Sequence, residues 1–368
     1  MSNAAYLLAL SRIEGVGAVT IKRLVDAVEH VGDIFADPSI LEGVVPSLYK
    51  RVVSHLSLQH LLSDAQQEIA EAECKHIQTF GIGDEKYPSL LAECADPPPA
   101  FFYIGNTDAL ESHHKISIVG TRRASRYGLK VVELLLEDLA KQVPDLVVVS
   151  GLAFGIDVKA HKIALDLGLP TIAVLAHGLD RIYPSVHRSI AVEMLKKGGL
   201  ISEYSWGSKV ERHHFVERNR VVAGISEATL VVESAARGGS LLTAAMASGY
   251  GRDVFAVPGR ITDPMSEGCN HIISTMQAIP VVNADNICSV LGWSSGKAFR
   301  AEATASLFAS EDLPDDPVLR LILEEETIHF NELVVRLGIS APELSNRLFT
   351  LEFEGYISTL PGGLYTKA

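Results

Sequence analysis

The sequence is short of cysteine, short of long apolar runs and short of positive charge, and each shortage removes a class of function. Its four cysteines (Cys74, Cys94, Cys269 and Cys288) stand far apart with no CxxC pair. That spacing offers neither a zinc knuckle nor a disulfide framework and fits a reducing cytosol. No uncharged apolar run approaches the roughly 18 residues that a membrane span needs. The apolar stretch Ala4–Ser11 is short and follows no basic residue, so it reads as a first helix and not as a signal peptide. The net charge is −13. A general nucleic-acid coat protein is basic overall, so a nucleic-acid reading must rest on a local patch that overcomes the global field.

Familiar catalytic and nucleotide motifs are missing too. No G-x-G-x-x-G follows the first strand of the central region, and no G-x-x-x-x-G-K-[ST] occurs; the nearest fragment is Gly296-Lys297. Dinucleotide and P-loop readings therefore lose their usual support. No G-x-S-x-G turn is present and no cysteine falls in a candidate loop, so no nucleophile can be nominated.

What is present is an ordinary globular composition, with 47% hydrophobic and 21% charged residues over a length of 368 that allows two or three domains. Residues 1–75 show helical spacing and no strand run. Within them, Ile13-Glu14-Gly15-Val16-Gly17 followed by Thr20–Leu24 has the pattern of a helix-hairpin-helix, whose turn either grips phosphate or simply joins two helices. The triple proline Pro97–Pro99 then precedes Ala100–Ile104, a candidate edge strand. Short β-branched runs follow at 116–119, 146–150, 171–175, 200–204, 229–233 and 254–257, with a possible last one at 279–282. Apolar strands alternating with helical stretches indicate a doubly wound α/β core over residues 76–292, its mostly parallel sheet covered on both faces. Residues 293–312, rich in Ser and Ala, read as a linker. Residues 313–368 carry three helical segments and a Pro-Gly-Gly turn between two short strands, the pattern of a winged helix.

Ligands of such a sheet bind beyond the carboxyl ends of its strands. The first loop there, Gly120-Thr121-Arg122-Arg123-Ala124-Ser125-Arg126, belongs to a stretch from Lys115 to Arg126 with four basic residues and no acidic one. Guanidinium groups and hydroxyls in a glycine-containing turn suit phosphate, although a solvated basic helix start would look alike. The second loop, Ser150-Gly151-Leu152-Ala153-Phe154-Gly155, leads into a helix whose first amides favour an anion. Asp157 and His161 share a face of that helix and read more readily as a structural pair than as an acid/base or metal pair. Another segment sets Arg212, Arg218, Asn219 and Arg220 around Phe215, which gives charge for a nucleic-acid backbone and a ring for stacking. Glu211 and Glu217 lie among these residues, so a salt-bridged helix start fits equally well. The adjacent His213 and His214 point apart on any regular element and make a poor metal pair. A glycine-rich loop with Gly238, Gly239 and Ser240 enters a further helix on the same edge.

The winged-helix segment is a different matter. From Asp312 to Ala368 ten acidic residues face four basic ones, and the candidate recognition helix carries Glu343, Glu352 and Glu354 beside Arg347. A phosphate backbone repels such a helix, so the charge favours a protein partner or a regulatory cap.

Read in order, these loops resemble the DprA/Smf family of DNA-processing proteins. Gly120–Gly128 matches its G-[ST]-R-x-x-[ST]-x-Y-G, Ser150–His161 its S-G-x-A-x-G-I-D-x-x-A-H, and Gly178–Pro184 its G-L-D-x-x-Y-P. Phe215–Ser226 matches F-x-x-R-N-R followed by an apolar pair and A-G-[LI]-S, Leu230–Ala244 the loop ending in G-S-L-[IL]-T-A, and Gly251–Gly259 G-R-x-V-F-A-V-P-G. The resemblance implies a Rossmann-like core between a helical SAM or helix-hairpin-helix-like head and a winged-helix tail. It implies binding of single-stranded DNA, contact with the recombinase RecA and its loading onto DNA taken up in natural transformation. Also implied are a homodimer through the core, a cytoplasmic location, no catalysis, no cofactor and no metal. By motif, Arg122 and Arg212 are expected to contact phosphate, with Arg218, Asn219 and Arg220 lining the same pocket and Gly238, Gly239 and Ser240 closing it. Phe154 stands where the family often has Arg, His177 where it often has Gly, and Val216 where it often has Pro. An enzymatic alternative is a nucleotide N-glycosidase of the LOG type, which needs a carboxylate after the glycine-rich loop; Leu241-Leu242-Thr243-Ala244 supplies none. A winged-helix transcription regulator with a ligand-sensing core is disfavoured by the acidic tail.

Overall fold

A computed structural model describes residues 3–46, 49–50, 58–293, 316–325, 327–354, 356–360 and 363–367. The chain divides into two compact units, residues 1–296 and 297–368. Residues 294–312, most of the expected linker, and Pro361-Gly362 of the expected wing turn lie outside the described residues. Trp293, read as the start of that linker, is buried and donates from Nε1 to Glu227 at 2.8 Å.

The first unit is built on nine strands: β1 (Gln78–Gly81), β2 (Ala100–Gly105), β3 (Lys115–Val119), β4 (Val147–Ser150), β5 (Thr171–Leu175), β6 (Gly199–Ser202), β7 (Ala228–Val231), β8 (Asp253–Ala256) and β9 (Ile279–Pro280). Their order in the sheet is β1-β2-β6-β5-β4-β3-β7-β8-β9. From β6 to β9 every neighbouring pair is parallel, while β1/β2 and β2/β6 are antiparallel. Side chains alternate across the pleat. Val147 and Val149 enter one apolar cluster while Val148 enters the other, and Ile116 and Ile118 oppose Val119 in the same way. One face is covered by helices Arg126–Gln142, Ile156–Asp166 and Ala284–Leu291, the other by helices Arg212–Gly224, Gly239–Gly249 and Glu267–Ser274. Helices on both faces explain why these strands are apolar along their whole length.

The segment Ala100–Ile104 is a strand but not an edge. The prolines lie just before it, and β1 and β6 pair with its two sides. Helix Ala4–Ser11 then packs against β1, so closely that a Cβ on Gly81 would stand 2.7 Å from the Ala4 nitrogen. With Ala4, Leu7, Leu8, Ala9 and Leu10 all buried, this helix joins the core of the first unit. Gly15, at φ 75°, lies in the turn that joins it to helix Ala18–Ala27.

The second unit has helices Pro317–Glu325, Phe330–Leu337 and Ala341–Phe353 and a three-stranded sheet, β10 (Thr327–His329), β11 (Ile357–Leu360) and β12 (Leu364–Lys367), in the order β10-β12-β11. Val318, Ile322, Leu333, Leu344, Leu348, Leu351 and Ile357 form its core. This is a winged helix, with β10 a strand too short to show in the sequence. Among the described residues no helix is long and apolar enough to cross a membrane.

Candidate nucleic-acid interface

Strand order reverses beside β3: the chain runs outward through β4, β5 and β6, then returns to add β7 on β3's other side. The loops leaving β3 and β7 therefore diverge and leave a crevice between them, the usual ligand position in such a sheet. A cavity of about 360 Å³ opens there. Its wall holds Gly120, Thr121, Arg122 and Arg123 after β3, Gly151 after β4, Phe215, Arg218 and Asn219 on helix Arg212–Gly224, and Gly238, Gly239 and Ser240 after β7. Eleven residues expected from sequence thus share one cavity.

The cavity has a cationic side and a backbone side. Arg122 is exposed, and its guanidinium lies 5.3 Å from the centre of the Phe215 ring, which meets Tyr183 edge-on at 5.9 Å. Among the described residues no carboxylate forms an ion pair with Arg122, Arg123 or Arg212. Across the cavity, helix Gly239–Gly249 begins without a side-chain cap. The first amides of a helix have no intrahelical acceptor, so this wall offers N–H donors to an anion. At Gly239 an added Cβ would meet nothing within 4 Å, so the wall is open at that point.

Arg218 lines the cavity but is no free phosphate donor. It is 4% exposed and donates to the carbonyls of Gly151, at 2.9 Å, and of Val174. A Cβ at position 151 would collide with that guanidinium, which is the local reason for glycine there. Burial raises the Asp157 carboxyl's pKa, an effect opposed by the Arg218 charge and by the Ala153 amide.

Other expected contacts lie elsewhere. Ser125 caps helix Arg126–Gln142, and both its amide and its hydroxyl donate to the buried Glu233 carboxylate. Ser150 is fully buried and donates to the Ile118 carbonyl at 2.6 Å. Arg220 does not line the pocket: it pairs with Glu203 and donates to the Asp96 carbonyl at 2.6 Å. Arg212 starts its helix and is exposed, outside the cavity wall. Phe154, half exposed, packs on His187 at 5.0 Å, also outside it.

Asp157 and His161 make separate contacts. The His161 Nδ1 meets the Thr171 hydroxyl at 2.7 Å, and burial pushes its pKa down to about 3. The pair is structural. His213 and His214 do not point apart: their ring centres are 4.3 Å apart. Two further residues belong here: Met265 lines the cavity, and Tyr183 packs on Phe215. Tyr183 lies within Gly178–Pro184, where its ring is the available signal; Met265 reaches Thr121 Oγ1 at 3.7 Å from a loop with no signal at all.

Residues 78–292 match the family model described as DNA recombination-mediator protein A, and residues 301–363 match the DprA winged helix domain. The chain is 31% identical to Protein Smf of Synechocystis sp., over 100% of this chain and 99% of that one. An X-ray structure of DNA processing protein A from Streptococcus pneumoniae is similar with a TM-score of 0.63 and 34% identity, over 78% of this chain and 98% of that chain. A Helicobacter pylori DNA processing protein A structure, titled for its single-stranded DNA binding mode, gives a TM-score of 0.52 and 30% identity, over 59% and 96%.

Proposed function

The chain belongs to the DNA recombination-mediator protein A (DprA/Smf) family, and from that premise we propose that it binds single-stranded DNA along the loops at the switch point of its sheet. The observation that carries the reading is Arg122, without an ion pair among the described residues and laid over the Phe215 ring, in one cavity with the uncapped helix at Gly239. Single strands need cations for the backbone and rings for the bases, and a cavity wall with both meets that need without reading sequence. The Helicobacter relative, described by its single-stranded DNA binding mode, supports the same ligand.

Family membership supports a wider role. The protein processes incoming DNA in natural transformation by passing the bound strand to RecA, works in the cytoplasm and forms a homodimer through its Rossmann-like core. It carries out no chemical turnover. In support, Asp157, the carboxylate on the cavity wall, is buried against Arg218, and no acid follows the Gly238-Gly239 loop.

The test is fluorescence anisotropy of labelled oligo-dT, against duplex of the same length, over a salt series. Tight, salt-sensitive binding that prefers the single strand is expected. Arg122→Ala should weaken binding to all sequences alike and lower the salt slope by about 0.7, the value for one phosphate on a single strand. Unchanged affinity in that variant would remove the site from this cavity. Faster RecA filament formation on single strands is the matching assay for the second step, and no acceleration would sink it.

A further inference from the structure

The helix that presents Phe215 opens with a group of side chains that the strand-end site does not use. Glu211 stands at its N-cap, and His213 and His214 occupy its first turn. The Glu211 carboxylate makes no capping hydrogen bond. One ligand atom from each of Glu211, His213 and His214 lies within 4.8 Å of the other two. His213 Nδ1 is 3.5 Å from a Glu211 carboxylate oxygen. Two ligands of one tetrahedral ion, each about 2.0–2.2 Å from it, stand about 3.3–3.6 Å apart. This pair already has that spacing.

His214 is held in place. Its ring packs on Tyr204 at 4.0 Å, and the Tyr204 hydroxyl lies 3.2 Å from Glu217 Oε2 as donor. The His214 Nδ1 is buried with no hydrogen-bond partner among the described residues, so an ion bound at that atom breaks no existing bond. The other two side chains are more than half exposed, which leaves the group open to solvent.

We propose that Glu211, His213 and His214 form a binding site for a divalent transition ion of the zinc class. Two imidazoles with one carboxylate suit Zn²⁺ and its neighbours, whereas Mg²⁺ and Ca²⁺ favour all-oxygen sets. Three protein ligands leave a coordination position open to water or to an anionic oxygen. The ion places two positive charges next in sequence to Arg212, in a chain of net charge −13. Its contribution to DNA affinity rests on the single-stranded DNA reading; the ion site does not.

The full chain, without an affinity tag and stripped by chelator, is titrated with Co²⁺ in the absence of DNA and followed by visible absorption, then back-titrated with Zn²⁺. One equivalent of Co²⁺, displaced by Zn²⁺, is expected. His213→Ala should lose it and Glu211→Gln should weaken it. His213 is exposed, so its variant keeps the wild-type melting curve as the folding control. Less than one equivalent, or one equivalent that survives in the His213→Ala, His214→Ala double variant, would overturn the site. Zn²⁺ should also tighten oligo-dT binding in the wild type and not in His213→Ala. Equal affinity with and without the ion would overturn the contribution to DNA binding while the cobalt result stands. If oligo-dT does not bind at all, the DNA reading fails and the cobalt titration still decides the ion site.

Discussion

His161 illustrates how far a single residue can be read. Its pKa is pushed down to about 3 by burial, while an unfolded histidine titrates near 6.5. Between those values the unfolded chain binds a proton that the folded chain refuses. Stability therefore rises with pH across that window and is lost as pH falls from about 6.5 towards 3, at no more than about 1.4 kcal/mol per pH unit. His161→Asn keeps a polar group near Thr171 and cannot become charged. The urea midpoint of the wild type should then fall more steeply between pH 6.5 and 4.5 than that of the variant; parallel curves would mean that this imidazole is hydrated. The sequence offered Asp157 and His161 as a pair because they share a helix face. It could not reveal that each engages a different group, the Thr171 hydroxyl for His161 and the Arg218 charge for Asp157. Ser125 and Ser150 were misplaced for the same reason: their acceptors, Glu233 and Ile118, are 108 and 32 residues away in the chain.

Among elements, helix Arg212–Gly224 shows what periodicity could have added. Arg218, Val221, Val222 and Ile225 follow the i, i+3, i+4, i+7 spacing of one helix face, and all four are buried. The spacing thus marked Arg218 as internal even though the local composition suggested one phosphate donor among four. The two faces predict two phenotypes. Arg218→Ala leaves Asp157 buried without its compensating cation and strands two carbonyls, so it should lower unfolding stability by about 3–5 kcal/mol. Arg212→Ala, on the exposed face, should reduce oligo-dT affinity and leave the denaturant midpoint within about 0.5 kcal/mol of wild type. A stable Arg218→Ala protein with normal packing would contradict the bracing role. The strands were legible wherever a run is apolar and β-branched: β3 to β8 fall within a residue or two of their expected bounds. Strands β1 and β10, four and three residues long with little apolar character, were not; the prolines before β2 suggested an edge, and β1 pairs there instead.

At the scale of the whole molecule the net charge of −13 sets a conflict that no residue shows alone. In the second unit the arginines are already engaged: Arg336 pairs with Glu325 and Glu332, and Arg347 with Asp316 and Glu343. Its helix Ala341–Phe353 presents Phe349 and Phe353 to solvent, 70% and 84% exposed, where a duplex-reading helix would need free cations. Under the proposed function, a strand of DNA would therefore be repelled at a distance and held only on arrival. The range of that repulsion is the Debye length, about 30 Å at 0.01 M salt and about 8 Å at 0.15 M. For a basic protein the association rate climbs steeply as salt is removed. Here it should stay flat or fall below about 0.05 M salt, because the unscreened field of the whole chain opposes the arginines around Phe215. The dissociation rate should still rise with salt, since the bound contacts are local. Stopped-flow anisotropy with oligo-dT separates the two rates. The charge-reversing double variant Glu352→Lys, Glu354→Lys removes four units of negative charge far from the cavity residues in sequence, and it should restore faster association at low salt without changing dissociation. A wild-type association rate that climbs as salt is withdrawn would mean that the strand-end arginines govern the approach as well as the grip, and the acidic tail would then need a different explanation.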